Sequence, residues 1–134
     1  MKVADLMQTD VRSVTADMPV SEVIVALADA HVSGLPVVDS RNRLIGVVSS
    51  ADVIGAQAET RDGEERRVLL EETRVQDIMT PRPLTIEPTA ALAEAGRHML
   101  YAEVRRLFVE DNGTLVGVIS QTDIIQAVGS GKIA

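Results

Sequence analysis

The hydrophobic and polar positions of the chain predict one series of elements that occurs twice. Each copy reads as a short strand, an amphipathic helix, two strands joined by a polar turn, and a second helix. The most regular part of each copy is a buried strand that ends in a serine and leads into a helix start carrying an aspartate. This part runs from Leu44 to Ile54 and again from Leu115 to Ile125, with Leu, Gly, Val, Ser, Asp and Ile at the same spacing. We therefore treat the chain as two versions of one unit.

In the first copy, Pro19 marks a helix start because proline is tolerated in the first turn of a helix. Val20, Val23 and Leu27 then share one helical face with Ile24. This helix is expected to end near His31–Gly34, because Gly34 can supply a left-handed residue. The other predicted elements are a helical turn at residues 3–7, strands at 11–14, 35–38 and 44–48, and a helix at 50–58.

The second copy begins at Val75, 72 positions after Val3. Thr89 is a predicted N-cap of a helix whose apolar face carries Leu92, Ala95, Met99 and Leu100. Residues 111–113, Asp-Asn-Gly, predict a tight hairpin turn.

Residues 59–74 separate the copies and are highly charged, which predicts a solvated loop or a short exposed helix, with Val68, Leu69 and Leu70 as its anchors. The predicted organisation is repeat 1 at residues 1–58, a linker at 59–74 and repeat 2 at 75–134.

Composition narrows the function classes. The 134 residues are 46% hydrophobic but include one Phe, one Tyr and no Trp, so the core is aliphatic. No cysteine is present, which excludes disulfides and thiolate metal sites and favours a cytoplasmic location. No apolar run approaches the ~18 residues of a membrane span. The net charge of −7 argues against nucleic acid or an anionic membrane as partner, but not against a small anionic ligand.

The repeated pattern resembles the CBS domain (named for cystathionine β-synthase) in its tandem form, the Bateman module. The similarity covers residues 3–58 and 75–128. The segments that carry it are Asp5-Leu6-Met7 and Asp77-Ile78-Met79, residues 33–39, and the two Gly-hydrophobic-hydrophobic-Ser-x-x-Asp stretches.

The resemblance implies an α/β (α+β) fold of two β-α-β-β-α repeats, packed about a pseudo-twofold axis with two clefts between them. In many relatives the clefts bind AMP, ADP, ATP or S-adenosylmethionine. The motif aspartate holds the ribose, and the adenine lies against the segment before the second strand of the other repeat. Carried over by position, one cleft combines Asp123, Ser120 and Thr122 with Val32, Ser33 and Gly34, and the other combines Asp52 and Ser49 with Val104, Arg105 and Arg106.

The chemistry suits these residue types. One ionised carboxylate can accept hydrogen bonds from both hydroxyls of a ribose, and helix N-terminal amides favour anions. Thr122 has a hydroxyl where the first copy has Ala51, which favours the Asp123 cleft for phosphate. Arg105 and Arg106 are either phosphate ligands or a solvated pair. The alternative for the aspartates and serines is plain helix capping.

The leading interpretation is therefore a regulatory module that senses an adenosine compound, forms a homodimer through its helical faces and acts on another protein. The alternative is a structural dimerisation or interaction module without a ligand. An enzyme is not expected, because the sequence has no nucleophile–base pair, metal cluster or Gly-rich phosphate loop. His31 and His98 stand alone, and no catalytic cofactor is expected.

Overall fold

The structure is a computed structural model that describes residues 1–131. The chain divides into two compact units. Arg12–Pro83 forms one unit, which we call the first-repeat unit. Met1–Val11 and the chain from Leu84 onward form the other, the second-repeat unit.

The first-repeat unit contains a four-stranded sheet flanked by helices. Its elements are β1 (Val14–Thr15), α1 (Val20–Ala30), β2 (Gly34–Val38), β3 (Leu44–Ser49), α2 (Ser50–Ala58), α3 (Gly63–Glu71), α4 (Val75–Ile78) and β4 (Thr80–Pro81). The strand order is β1-β2-β3-β4, with β1 parallel to β2 and the other pairs antiparallel. The core joins the α1 face of Val20 and Val23 to Val37 and Val48 of the sheet.

The second-repeat unit has the same plan. A 3-10 turn (Val3–Asp5) is followed by β5 (Thr85–Ile86), α5 (Leu92–Ala102), β6 (Arg106–Asp111), β7 (Thr114–Ser120) and α6 (Gln121–Gly129). Strand β5 is parallel to β6, and β6 is antiparallel to β7. Gln8 extends this sheet through an antiparallel bridge to Val118. The predicted α+β class is confirmed in both units.

The compact units do not follow the sequence period, because each takes the opening helical turn of the other copy. The N–H of Val3 donates to Ala90 O at 2.9 Å in the second-repeat unit. The N–H of Val75 makes the corresponding bond to Met18 O, also at 2.9 Å, in the first-repeat unit. Each compact unit therefore includes a short segment that belongs, in sequence, to the other copy.

Three local predictions are wrong. Helix α1 ends within the predicted His31–Gly34 region, but the left-handed residue is His31 (φ 53°) and not Gly34, which lies in β2. The N-cap of α5 is Ala91 rather than Thr89, without a side-chain cap. Leu100 is 76% exposed although it was placed on the core face of α5.

Other predictions are confirmed. Helix α2 runs from Ser50 to Ala58 as expected. Asn112 and Gly113 both have positive φ in the hairpin between β6 and β7, as a tight primed turn requires. The charged segment contains helix α3, which buries Leu69. None of the helices within residues 1–131 is long and apolar enough to cross a bilayer.

Candidate ligand-binding sites

Asp52 is fixed at the start of α2 by a reciprocal capping box with Ser49. The N–H and the hydroxyl of Ser49 donate to Asp52 Oδ2 at 2.8 and 3.0 Å, and the N–H of Asp52 donates to Ser49 Oγ at 3.1 Å. The serine ends the strand, and the aspartate is the third helical residue, which is the spacing that a capping box needs. The Asp52 carboxylate is thus held, half-buried, where β3 ends.

Asp123 has the same arrangement at the start of α6. The N–H of Ser120 donates to Asp123 Oδ2 at 2.9 Å, and the N–H of Asp123 donates to Ser120 Oγ at 3.1 Å. In addition, Gln8 Nε2 donates to Asp123 Oδ1 at 3.5 Å. The capping alternative is therefore real in both copies, and it fixes the carboxylates whether or not they also bind a ligand.

The segment before the second strand of each repeat lies beside the serine of the same unit. Gly34 pairs with Ser49 across β2 and β3, and the N–H of Ser50 donates to Ser33 O at 2.7 Å. We call Val32, Ser33, Gly34, Ser49 and Asp52 the first junction.

The equivalent pairing recurs in the second-repeat unit. Arg106 pairs with Ser120, and the N–H of Gln121 donates to Arg105 O at 2.8 Å. The second junction comprises Val104, Arg105, Arg106, Ser120, Thr122 and Asp123. The structure thus brings the predicted residues together within each unit. The predicted clefts, which draw on residues of different units, stay a prediction.

The cationic candidates differ in their surroundings. Arg105 is exposed, and Arg106 is half-buried in β6. Thr122 is exposed on the first turn of α6. Thr122 and Arg105 therefore both lie at the solvent edge, where charge interactions are weak because water screens them.

Sequence reasoning missed two glutamines at the second junction. Gln8 reaches Asp123 from 115 positions away, and Gln121 Nε2 donates to Val104 O at 3.1 Å. No local motif marks either residue. The available signal was the alignment of the two copies, in which Gln8 matches Thr80 and Gln121 matches Ser50.

Elsewhere in the second-repeat unit, a cleft of about 570 Å³ has several acidic residues in its lining, Glu87, Glu94, Glu110 and Asp111 among them. His98 Nε2 lies 3.8 Å from Glu94 Oε1 in this cleft. Among residues 1–131, however, no three His, Cys, Asp or Glu side chains are placed to hold a metal ion.

Comparison with known families agrees with the repeated junction. The CBS domain family model matches residues 3–59 and 75–130. The chain belongs to the CBS domain family, and its two matches make it a CBS pair.

Two curated relatives are similar to this chain over most of its length. The uncharacterized protein MJ1225 of Methanocaldococcus jannaschii is 30% identical over 128 residues, which cover 96% of this chain and 43% of that protein. CBSX2 of Arabidopsis thaliana, a chloroplastic CBS domain-containing protein, is 30% identical over 129 residues, covering 81% of this chain and 54% of the relative. The chain spans about half the length of these curated relatives.

The fold is shared with solved CBS pairs. The crystal structure of CBSX2 in complex with AMP superposes with a TM-score of 0.80 at 29% identity, covering 98% of each chain. A protein of similar fold, the CBS pair of MJ0100, was solved with 5′-methylthioadenosine and S-adenosyl-L-methionine; its TM-score is 0.74 at 20% identity.

Proposed function

We propose that this chain is a regulatory CBS pair that binds an adenosine compound, with AMP as the leading candidate, at its strand-to-helix junctions. The observation that carries the proposal is the capping box that immobilises the half-buried Asp52 where β3 ends. A carboxylate held in place loses little side-chain entropy when a ligand binds, so its hydrogen bonds contribute fully to affinity.

The assignment of roles follows from hydrogen-bonding chemistry. The ribose hydroxyls donate to Asp52 or Asp123, and charge-assisted bonds of this kind are the stronger ones. The adenine lies on the apolar side of Val32 or Val104. Ser49, Ser120 and Thr122 face the sugar or phosphate, with Arg105 and Arg106 as the cationic candidates.

The AMP complex of CBSX2 supports this choice of ligand, because that protein matches this chain over 98% of both lengths. ADP, ATP and S-adenosylmethionine remain candidates on the family resemblance. We propose that the bound compound acts as a signal, and that the protein it regulates is a separate polypeptide.

Isothermal titration calorimetry with AMP tests the proposal. Asp52→Asn and Asp123→Asn keep an oxygen for the capping box but remove the charge, and each is expected to weaken its own junction about 10- to 100-fold. Asp77→Asn is the matched control, because Asp77 accepts from the Arg74 N–H at 3.1 Å in the same cap geometry outside both junctions. If AMP affinity survives both junction substitutions together, the carboxylate role is wrong.

A second function, as a dimerisation module, is favoured by the exposed apolar helix faces. Ile54 on α2 and Ile125 on α6 are each 67% exposed. Each flanks an apolar groove between two helices of its unit, of about 280 Å³ between α1 and α2 and about 220 Å³ between α5 and α6. We propose that a second copy of the chain covers these faces, with or without a ligand at the junctions.

A further inference from the structure

We propose that the exposed side of helix α5 is a surface that binds another protein, through a segment in which an apolar side chain stands close to an aspartate or glutamate. The surface is a groove of about 400 Å³ lined by Leu84, Arg97, His98, Tyr101 and Ala102, which we call the Tyr101 groove. The inference rests on the proposed function in one respect, that the regulated protein is a separate polypeptide. It deepens that function by naming the surface of the second-repeat unit where the two proteins meet.

Tyr101 is a large side chain that the fold does not use. It is the single tyrosine of the chain and is 94% exposed, whereas the single phenylalanine, Phe108, is buried in β6. Leu84, at 46% exposure, adds a second apolar side chain to the same groove. Tyrosine and arginine are enriched at the positions that dominate the affinity of protein interfaces, because they bring large contact areas. The Tyr101 groove has this composition.

The two copies of the repeat differ at this place. Helices α1 and α5 begin at Val20 and Leu92, so equivalent positions lie 72 residues apart. Leu84 therefore takes the place of Arg12, and Arg12 Nη2 lies 3.9 Å from Asp29 Oδ2. Tyr101 takes the place of Asp29. The first-repeat unit thus has a solvated ion pair where the second has two apolar side chains, and only the apolar pair gains free energy when a partner removes it from water.

Arg97 determines the charge expected of the partner. It is exposed one helical turn before Tyr101, on the same side of α5. The Arg97 side chain makes no ion pair or hydrogen bond with any residue of the described chain, 1–131. The neighbouring His98, in contrast, has Glu94 Oε1 at 3.8 Å from its Nε2. A carboxylate of the partner would therefore meet an uncompensated cation, although the chain as a whole has a net charge of −7.

The form and charge of the groove favour a segment of a different protein over other occupants. Pockets for small molecules enclose most of their ligand, but Tyr101 and Arg97 are exposed, so the groove covers a ligand on one side only. In a twofold contact between two copies of the chain, the same patch faces itself. Among the described residues, the groove lining includes Arg97 and His98 and no carboxylate. The groove is therefore not complementary to itself in charge.

The test is selection of random peptides displayed on phage against the full-length protein, followed by calorimetric titration of the enriched peptides. Wild type should enrich peptides with an apolar residue a few positions from Asp or Glu. Arg97→Glu should enrich Lys or Arg in place of the acids, because the charge that the groove offers is reversed. Attraction to the acidic chain in general would enrich basic peptides on both proteins, which is the opposite of the result expected for wild type.

Substitutions at the groove measure its contribution to affinity. Tyr101→Ala should weaken the peptides selected on wild type about 10- to 100-fold. Leu84→Arg with Tyr101→Asp installs the ion pair of the first copy, and should weaken them at least as much. Asp29→Ala, at the position equivalent to Tyr101 in the first-repeat unit, is the matched control and should leave their affinity unchanged. All three positions are exposed, so the circular dichroism spectra should match that of wild type.

Three results would overturn the inference. These are the absence of acidic residues from the enriched peptides, equal peptide affinity of wild type and the Leu84→Arg/Tyr101→Asp variant, and conversion of a wild-type dimer to a monomer by that variant in analytical ultracentrifugation, which would assign the groove to a second copy. The variant should bind AMP as wild type does, because the groove contains no junction residue. AMP binding without groove-dependent peptide binding refutes this inference alone. Groove-dependent peptide binding in a protein that binds no AMP refutes the proposed ligand alone.

Discussion

The thioether of Met7 lies against the backbone of Gly117, so that a β-carbon on Gly117 would fall 2.7 Å from Met7 Sδ and 2.9 Å from Gln8 O. Met79 and Gly46 repeat the relationship, with 2.6 Å from the added carbon to Met79 Sδ. In both units a methionine after a short helical turn covers a glycine of the central strand. This contact explains why the Met and the Gly recur together in the two copies.

Gly117→Ala is therefore expected to destabilise the second-repeat unit by about 1–3 kcal/mol, because the strand and the Met7 segment must separate to admit a methyl group. Urea unfolding followed by circular dichroism measures the loss. Gly129→Ala is the control: nothing lies within 4 Å of its added carbon, and alanine is the better helix former. Met7→Ala should restore part of the loss in the double variant. Equal stability of Gly117→Ala and wild type would contradict the packing described.

Leu69 is the buried anchor of the charged segment. It is 7% exposed and belongs to the core of the first-repeat unit. Leu69→Ala should lower the free energy of unfolding by about 2–5 kcal/mol, since truncation of a buried leucine loses apolar contact and leaves a cavity. Val68→Ala, in the same helix at 37% exposure, should cost clearly less in the same denaturant titration. Similar losses for both would mean that α3 does not pack as described.

The two roles of Asp52 can be separated by comparing substitutions. Asp52→Ala removes the cap acceptor for the Ser49 N–H as well as the charge, and should destabilise the unit by about 1 kcal/mol. Asp52→Asn keeps an acceptor and should cost less stability while still weakening AMP binding. Differential scanning calorimetry without ligand, run beside AMP titrations, gives both quantities. An alanine variant as stable as wild type would show that the capping box does not contribute the expected stability.

Asp39 gives the hairpin between β2 and β3 a pH dependence. The N–H of Arg43 (3.0 Å) and the N–H of Arg41 (2.8 Å) donate to Asp39 Oδ1, and chiefly the Arg43 bond lowers the pKa of Asp39 below its ordinary value of 3.8. A lowered folded-state pKa means that this stabilisation is present above pH 3.8 and is lost as pH falls through the folded pKa.

Asp39→Asn should accordingly cost stability near neutral pH, and the difference from wild type should shrink as the pH falls below about 4. Urea midpoints at a series of pH values measure this difference. Asp10→Asn, at another exposed aspartate, serves as the control. A difference that stays constant down to pH 3 or so would show that the turn does not favour the ionised carboxyl.

The proposed association of two copies is tested at the exposed isoleucines. Ile54→Glu and Ile125→Glu place charges on the apolar faces of α2 and α6, where burial against a partner would leave them without a counter-ion. The pair of substitutions should convert a dimer to a monomer in analytical ultracentrifugation. Glu59→Gln, on an exposed residue just after α2, should leave the mass unchanged. A wild-type chain that sediments as a monomer at all concentrations would exclude this association.

The repeated fold could be predicted because its signals are local. The strand pattern and the serine–aspartate spacing define Ser50–Ala58 without any tertiary information, and Asn112-Gly113 is a strong turn signal. The left-handed ends of α1 and α5 were not predictable in this way. His31 and Glu103 adopt φ of 53° and 58°. Glycine is the usual residue in this region, histidine is only enriched there and glutamate does not favour it, so neither residue marks the helix end in the sequence.

The site was predictable only in part, for a related reason. The junction serines and aspartates share one capping motif and are visible in the sequence. Gln8 and Gln121 contact the second junction only when the chain has folded, since Gln8 meets Asp123 from 115 positions away. Met1–Val11 belongs to the second-repeat unit. The repeat period could not predict this, because it relates residues by their position in the sequence and not by their contacts in space.

Each unit contains the opening helical turn of the other copy, and this determines when each unit can be completed during translation. Residues 12–83 leave the ribosome as a continuous stretch that contains the whole core of the first-repeat unit, so this unit can form while the following residues are still being translated. Val3 and Met7 emerge earlier still, yet the surfaces they cover, around Leu92 and Gly117, are made only after residues 12–83. Val3 and Met7 must therefore wait for this later segment, and until then their apolar side chains are exposed to chaperones or to the wrong partner.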